Sequence, residues 1–212
     1  LAFACDTLET ELNSVTDNPL VFDNGDILSG GNFHGQPLAL ALDFAAMALA
    51  ELGSISERRT YLLLEGHDGL PKLLMKDTGV NSGFMIPQYT AAALVSENKI
   101  LCHPASVDSI PTSLGQEDHV SMGSISALKL FSVLRNVERV LAVEFLTAAQ
   151  ALDFRSPLKP GKGVHVAHEL LRGQIGHAHR DYEVRNDLDT CADILRRGEL
   201  AEAVQAEIGP LA

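Results

Sequence analysis

The feature that most constrains this chain is a long run of apolar side chains at helical spacing in its central part. A helix of about 38 residues over positions 116–154 would be about 57 Å long, which is longer than a small domain is wide. We therefore expect it to pack against other subunits as well as against its own chain. The apolar positions recur every three or four residues, which is typical of a buried helix face in a bundle: Leu130, Val133, Leu134, Val137, Val140, Leu141, Phe145, Ala148 and Leu152.

Most of the remaining sequence also favours helices. Pro37 suits the first turn of an Ala- and Leu-rich helix that runs to about Leu64, interrupted only at Gly53-Ser54. A second helix is predicted from about 86 to 101, then a structured loop over 103–112, and three shorter helices over about 163–182, 187–197 and 199–208. Asn24-Gly25 lies between two apolar pairs and tolerates positive φ angles, so it predicts a β-hairpin.

The predicted fold class is therefore all-α, a long antiparallel helix bundle with one short β-hairpin near the N-terminus. We expect residues 1–212 to form a single helical portion without a second domain. Within it, residues 1–36 form an initial segment and hairpin, residues 37–155 form the core bundle helices, and residues 156–212 form peripheral helices.

Composition excludes several classes of partner. The chain has 16 Lys and Arg against 28 Asp and Glu, a formal net charge of −12, which repels phosphate backbones and anionic lipid surfaces. We expect no nucleic acid partner. Charges or glycines cut every apolar run before the roughly 20 residues that a membrane span needs, so no membrane partner is predicted either. Cys5, Cys102 and Cys191 are widely spaced and odd in number, which predicts free thiols in a reducing cytoplasm.

Four short motifs give the chain a resemblance to a known family. They are Asn-Ser-Val-Thr-Asp-Asn-Pro at 13–19, Gly-Gly-Asn-Phe-His at 30–34, Gly-Val-Asn-Ser-Gly-Phe-Met at 79–85, and Ser-Leu-Gly-Gln-Glu-Asp-His-Val-Ser-Met-Gly at 113–123. Together they closely resemble the aromatic amino acid ammonia-lyases, and among them the histidine ammonia-lyases. The resemblance covers nearly the whole chain and is weaker beyond Gly163.

The last motif carries the predicted catalytic carboxylate. Ser113 and Gln116 match a capping box that would open the long helix, with Glu117 in its first turn. Acids at that position are commonly partners of the helix dipole, which is the alternative reading. The resemblance implies instead that Glu117 is catalytic, its carboxylate accepting a hydrogen bond from an imidazole N–H, with Gln116 beside it among the substrate-binding residues.

Three further positions are assigned to substrate binding by resemblance. Phe33 lies after a glycine pair and could be a core aromatic, but the resemblance implies that it lines the substrate pocket of a neighbouring subunit. Asn18, before Pro19, could be an ordinary turn residue, and its counterpart in the family borders the active site. Met85 could serve helix packing alone. In phenylalanine-specific plant-type relatives the positions of Met85 and Glu117 are commonly Lys and Gln, so this pair favours histidine as substrate.

The family's cofactor cannot be formed by this chain. Its members make 4-methylidene-imidazol-5-one from an internal Ala-Ser-Gly triad, which occurs nowhere in the 212 residues. Leu28 and Asn81 precede the two nearest approaches, Ser29-Gly30 and Ser82-Gly83. The resemblance implies that this chain is the C-terminal portion of the enzyme. The N-terminal part of the enzyme, upstream of this chain, would carry the electrophile, the catalytic tyrosines and a carboxylate-binding Arg. The intact enzyme would be a cytoplasmic homotetramer that converts L-histidine to trans-urocanate and ammonia, and this chain alone would be inactive.

The sequence leaves other readings open. The chain could instead be a fragment of a phenylalanine or tyrosine ammonia-lyase or aminomutase, or a noncatalytic helical assembly module. No metal is predicted, because His165 and His168 have no identifiable third ligand; we expect these and the other histidines of this region to be solvated. Glu144 falls on the apolar stripe and predicts an Arg partner from another helix.

Overall fold

The computed structural model describes residues 1–211 and consists mainly of α-helices. The described residues contain one two-stranded antiparallel sheet, β1 (Leu20–Val21) and β2 (Ile27–Leu28), in which Leu20 pairs with Leu28 and Val21 with Ile27. The prediction of an all-α fold with one short hairpin is confirmed. The helices are α1 (Ala2–Leu12), α2 (Gln36–Leu64), α3 (Met85–Leu101), α4 (Gly123–Asp153), α5 (Lys162–Arg172), α6 (Arg185–Arg196) and α7 (Glu199–Ile208).

Several helix bounds match the predicted ones closely. Pro37 is the second residue of α2, and the bounds of α3, α6 and α7 agree with the sequence pattern to within two residues. The predicted interruption at Gly53-Ser54 is wrong, because α2 continues through both residues. A glycine inside a helix costs about 1 kcal/mol relative to Ala but does not by itself end the helix.

Two helical predictions need correction, and one helix was missed. The longest helix, α4, begins at Gly123 and not at Gln116. The helix after the proline-rich break, α5, ends at Arg172, ten residues before the predicted end at Tyr182. Helix α1 was not predicted at all; the described structure gives it no side-chain cap at its N-terminus.

The chain divides into two compact units. The first comprises residues 1–51 and 98–134, with a small core of Ala4, Ala41 and Ala45 packed against Leu130. The second comprises residues 52–97 and 135–212, and Leu74, Leu146 and Leu171 are among its most deeply buried side chains. The division of residues 1–212 into an initial segment, core helices and peripheral helices stays a prediction.

Polar contacts join the long helices within the second unit. Glu144 of α4 accepts hydrogen bonds from Ser56 Oγ at 2.6 Å and from Arg59 Nη2 at 2.7 Å, both on α2. The predicted Arg partner of Glu144 is confirmed, and the bond to Glu144 raises the pKa of Arg59. Asn136 donates to Glu97 at 2.6 Å.

The same unit shows the direction of α3 against α4. Glu97, late in α3, meets Asn136, whereas Ala91, earlier in α3, clusters with Val140 and Val143, later in α4. The two helices therefore run antiparallel, as expected for neighbouring helices of an antiparallel bundle.

Helix α2 is long and apolar enough to cross a membrane when length and composition alone are considered, with a mean hydropathy of 1.7 over its most apolar window. Its sequence is not an uninterrupted apolar run, because it contains Asp43, Glu51 and Gly53. Core helices of globular proteins meet the same criterion.

Candidate active site

Asn18 connects the first motif to the second. Its side-chain Oδ1 accepts the backbone N–H of Gly30 at 3.1 Å, and its own N–H donates to Asp17 Oδ1 at 2.8 Å. The hairpin that separates Asn18 from Gly30 in sequence therefore brings Gly30 back next to Asn18. Asn18 is more than a local turn residue, because it fixes the start of the segment that carries Phe33.

Phe33 is 55% exposed, so the alternative reading as a core aromatic is wrong. It borders a cavity of about 290 Å³ in the first unit, between the end of α1 and the start of α2. The other lining residues are Leu8, Glu11, Leu12, Thr16, Asn32, Gly35 and Leu38. An exposed aromatic ring on a short loop is available to contact a ligand or another protein surface.

Two histidines hold the second and fourth motifs together. His34 Nε2 contacts the backbone oxygen of His119 and lies 2.7 Å from His119 Nδ1. If Nε2 of His34 carries the proton, it can donate to both atoms, and Nδ1 of His119 is then unprotonated. One residue further on, Gly35 has φ +75°, and a Cβ there would lie 3.3 Å from Ser121 Oγ. Motifs that are about 80 residues apart in sequence therefore meet in space.

Glu117 lies in a tight turn and not in the first turn of a helix. The predicted capping box at Ser113–Gln116 is wrong: Ser113, Leu114 and Gly115 have φ values of +50°, +58° and +88° and form a short 3₁₀ turn. The turn closes through two backbone hydrogen bonds, Thr112 N–H to Glu117 O at 3.0 Å and Glu117 N–H to Thr112 O at 3.3 Å. The helix-dipole reading of Glu117 therefore fails with the capping box.

The carboxylate of Glu117 is held by two hydroxyl groups. Thr112 Oγ1 and Ser113 Oγ both donate to Oε2, the latter at 2.9 Å. These two hydrogen bonds lower the pKa of Glu117, because they stabilise the ionised form. Within residues 1–211, Oε1 has no hydrogen-bond partner, so it can accept a bond from a ligand. Gln116, the residue before Glu117, is exposed, and its backbone N–H donates to Ser113 O at 3.1 Å.

Met85 belongs to the second unit, whereas the other four predicted residues belong to the first. It is the first residue of α3 and is 41% exposed. The segment before it is fixed by Asp181, whose carboxylate accepts the N–H groups of Ser82 and Gly83, each at 2.8 Å. Gly83 has φ +56°, and a Cβ there would lie 2.4 Å from Leu73 O. Only glycine fits this position without rearrangement.

The sequence did not reveal the groups that fix the predicted site residues within each unit. The sequence pattern predicts that Thr112 ends a loop and that Ser113 caps a helix. In the structure, both side-chain hydroxyls donate to the carboxylate of Glu117. His34 and His119 were part of the quoted motifs, and their separation gave no sign that they touch. Asp181 lies outside every motif, and only the fold brings it to Ser82.

Two histidines of the C-terminal region join a hydrogen-bond network centred on one carboxylate. Asp153, at the end of α4, accepts hydrogen bonds from His168 Nε2 at 2.8 Å, Arg172 Nη2 at 2.7 Å and His177 Nδ1 at 2.7 Å. The prediction of solvated histidines is wrong for His168 and His177, whose side chains are 19% and 23% exposed. In the described part of the chain, no group of three or more His, Cys, Asp or Glu side chains is arranged to hold a metal ion.

Comparison with known proteins decides the family. The sequence profile described as aromatic amino acid lyase matches residues 1–173 of the 212. The chain belongs to the aromatic amino acid lyase family. The chain is 54% identical over 207 residues to the histidine ammonia-lyase of Natranaerobius thermophilus, a match that covers 96% of the chain and 41% of that protein.

Solved structures agree with this assignment. The crystal structure of histidine ammonia-lyase from Trypanosoma cruzi matches this chain with a TM-score of 0.92 and 48% identity, over 96% of the chain and 41% of that structure. The structure of tyrosine aminomutase from Streptomyces globisporus matches with a TM-score of 0.90 and 42% identity, over 97% of the chain and 40% of that structure. The chain thus spans about two fifths of the length of the curated relatives it matches.

Proposed function

We propose that this chain is the C-terminal part of a histidine ammonia-lyase, which removes ammonia from L-histidine to give trans-urocanate. The observation that carries the proposal is the 54% identity to a histidine ammonia-lyase over 96% of the chain. The reaction breaks the bond between Cα and the amino nitrogen and removes a proton from Cβ. The carboxylate, aromatic and apolar side chains predicted at the site suit a substrate that carries an imidazole ring.

Glu117 is the proposed catalytic residue of this chain. Its carboxylate is ionised near neutral pH, the two hydroxyl bonds lower its pKa further, and Oε1 is available to accept the imidazole N–H of histidine. A hydrogen bond to an ionised acceptor is about twice as strong as a neutral one. Phe33, Met85, Asn18 and Gln116 are the proposed substrate-binding residues, and the exposure of the Phe33 and Met85 side chains supports this assignment.

The cofactor would come from outside this chain. The electrophile 4-methylidene-imidazol-5-one supplies the chemistry that activates the substrate for ammonia loss. It forms from Ala-Ser-Gly, a triad that the 212 residues do not contain, so no residue of this chain fits as its source. The proposal therefore places the triad in an N-terminal part of the same enzyme and expects the isolated chain to be inactive.

The assembly proposed for the intact enzyme is a cytoplasmic homotetramer. The apolar side chains left exposed on the long helices, such as Leu40 and Phe44 on α2 and Leu128 and Phe131 on α4, support association with further polypeptide. Three free cysteines are consistent with a reducing compartment. The net charge of −12 argues against nucleic acid or anionic membrane partners.

Co-expression with a matching N-terminal part that carries Ala-Ser-Gly tests the proposal directly. Ammonia release and urocanate absorbance are measured with L-histidine, L-phenylalanine and L-tyrosine, and the chain alone serves as the control. We expect turnover of histidine in the complex and none by the single chain. Urocanate produced by a preparation that contains only this chain would contradict the proposed dependence on a second segment.

A second candidate function is favoured by one observation. The tyrosine aminomutase structure matches the chain with a TM-score of 0.90 and 42% identity, so the chain could belong to an enzyme that acts on tyrosine or phenylalanine. Met85 and the carboxylate of Glu117 argue for histidine. Turnover of tyrosine or phenylalanine in place of histidine would establish this alternative. A complex that forms but turns over none of the three amino acids would instead favour a noncatalytic helical assembly module.

A further inference from the structure

The turn that carries Glu117 does not need side-chain hydrogen bonds to close. Thr112 and Glu117 already exchange two backbone hydrogen bonds, of 3.0 and 3.3 Å. The backbone between them crosses the left-handed region at three consecutive residues, and Leu114 at its tip is fully exposed. The backbone hydrogen bonds already close the turn. The two hydroxyl bonds to Glu117 therefore act on the carboxylate and not on the backbone.

Both hydroxyls meet the same oxygen. Thr112 Oγ1 and Ser113 Oγ donate to Oε2, so the two donors fix the plane of the carboxylate and stabilise its charge at that oxygen. Since Oε1 then has no partner within residues 1–211, it is the oxygen that remains to receive a donor from a ligand. Loss of either hydroxyl would let the carboxylate rotate and would make it a stronger base.

We propose that Thr112 and Ser113 are positioning residues that orient Glu117 Oε1 toward a substrate N–H and hold the carboxylate in that orientation. This inference rests on the proposed function, because it assigns the donor to the imidazole of histidine. The hydroxyls act only through Glu117 and are not catalytic residues themselves. The lowered pKa of Glu117 agrees with the geometry.

The chain offers matched variants for a test. Thr112→Val removes one hydroxyl without changing side-chain shape, and its β-branched side chain suits the extended backbone of Thr112, with φ −128° and ψ 178°. Ser113→Ala removes the other hydroxyl, and Thr112→Ser restores a donor. Ser109→Ala is the control in the same loop, because Ser109 Oγ accepts the N–H of Val120 at 2.8 Å and is not a partner of Glu117.

The first measurement is the ionisation of Glu117 in this chain, followed by NMR with ¹³C-carboxyl-labelled glutamate. The Glu117 signal is assigned as the one that is lost in Glu117→Gln. We expect its titration midpoint to move to higher pH in Thr112→Val and Ser113→Ala, and further in the double variant, while Thr112→Ser and Ser109→Ala keep the original midpoint. An unchanged midpoint in the double variant would overturn the proposal.

The second measurement is histidine turnover by the complex with the N-terminal part. We expect kcat/KM to fall by about three- to tenfold for each lost hydroxyl, with the acid limb of its pH profile moved to higher pH and with rescue in Thr112→Ser. A shifted NMR midpoint with unchanged kcat/KM and pH profile would refute the positioning role. If the unaltered complex leaves histidine intact, the proposed function fails, and the NMR comparison alone then decides whether the hydroxyl pair controls Glu117.

Discussion

Glu117 is the residue on which the proposed chemistry of this chain most depends, because it offers an ionised acceptor on an exposed turn. In the complex with the N-terminal part, we expect Glu117→Gln to lower kcat/KM for L-histidine by about 10- to 100-fold, since a neutral amide oxygen is a weaker acceptor than a carboxylate. Any turnover of L-phenylalanine, whose ring has no N–H, should not fall. Steady-state kinetics with both amino acids measures the difference.

Asp118→Asn is the matched control, because it removes a neighbouring exposed carboxylate. Equal losses in the two variants would point to a general effect of charge and not to a bond made by Glu117. At this scale, the family resemblance predicts that Glu117 is the catalytic carboxylate, and this role stays a prediction. The Thr112 and Ser113 contacts could not be predicted, because they depend on left-handed backbone at non-glycine residues, which a sequence pattern does not reveal.

The segment that leads into α3 is an element whose position depends on one glycine. A Cβ at Gly83 would lie 2.4 Å from Leu73 O and 2.8 Å from Met75 Cβ, with φ at +56°. We expect Gly83→Ala to lower the free energy of unfolding by about 2 kcal/mol or more, because the backbone must shift to admit the methyl group. Gly161→Ala, where φ is −64° and nothing lies within 4 Å, should change it by less than about 0.5 kcal/mol.

Urea denaturation of both variants tests this expectation, and a Gly83→Ala protein as stable as Gly161→Ala would contradict it.

The helices themselves were largely predictable, because long apolar stripes and prolines define α2 and α3. The start of α4 was not predictable. Ser113 and Gln116 satisfy a capping pattern, but the chain turns at Ser113–Gly115, and the helix begins only at Gly123. Local patterns predict helix interiors better than the loops that tertiary contacts shape.

For the whole molecule, each compact unit contains a carboxylate that resists protonation. Burial alone would raise the pKa of Asp43, but hydrogen bonds from Ser106 and the charge of Lys129 hold it below its ordinary value. Burial would likewise raise the pKa of Asp153, which bonds from Arg172 and the two histidines, His177 and His168, hold low. A pKa that is lower in the folded state stabilises the fold above the unfolded value of about 3.9. That stabilisation is lost as the pH falls through the lowered folded value.

The urea midpoint of this chain should therefore be nearly constant between neutral pH and about pH 5, and it should decrease when the pH is lowered beyond about pH 4.

Asp153→Asn should lower the stability at neutral pH by about 2–3 kcal/mol, because it leaves Arg172 without its carboxylate partner. It should also reduce the loss of stability in acid. Asp189→Asn is the control: its side chain is 74% exposed and lies 3.9 Å from Arg185, so the change should stay within about 0.5 kcal/mol. If Asp153→Asn lost stability in acid as steeply as the original chain, Asp153 could not be a source of the pH dependence. The acid sensitivity would then have to come from Asp43 and the other carboxylates, which Asp43→Asn would show by flattening the same limb.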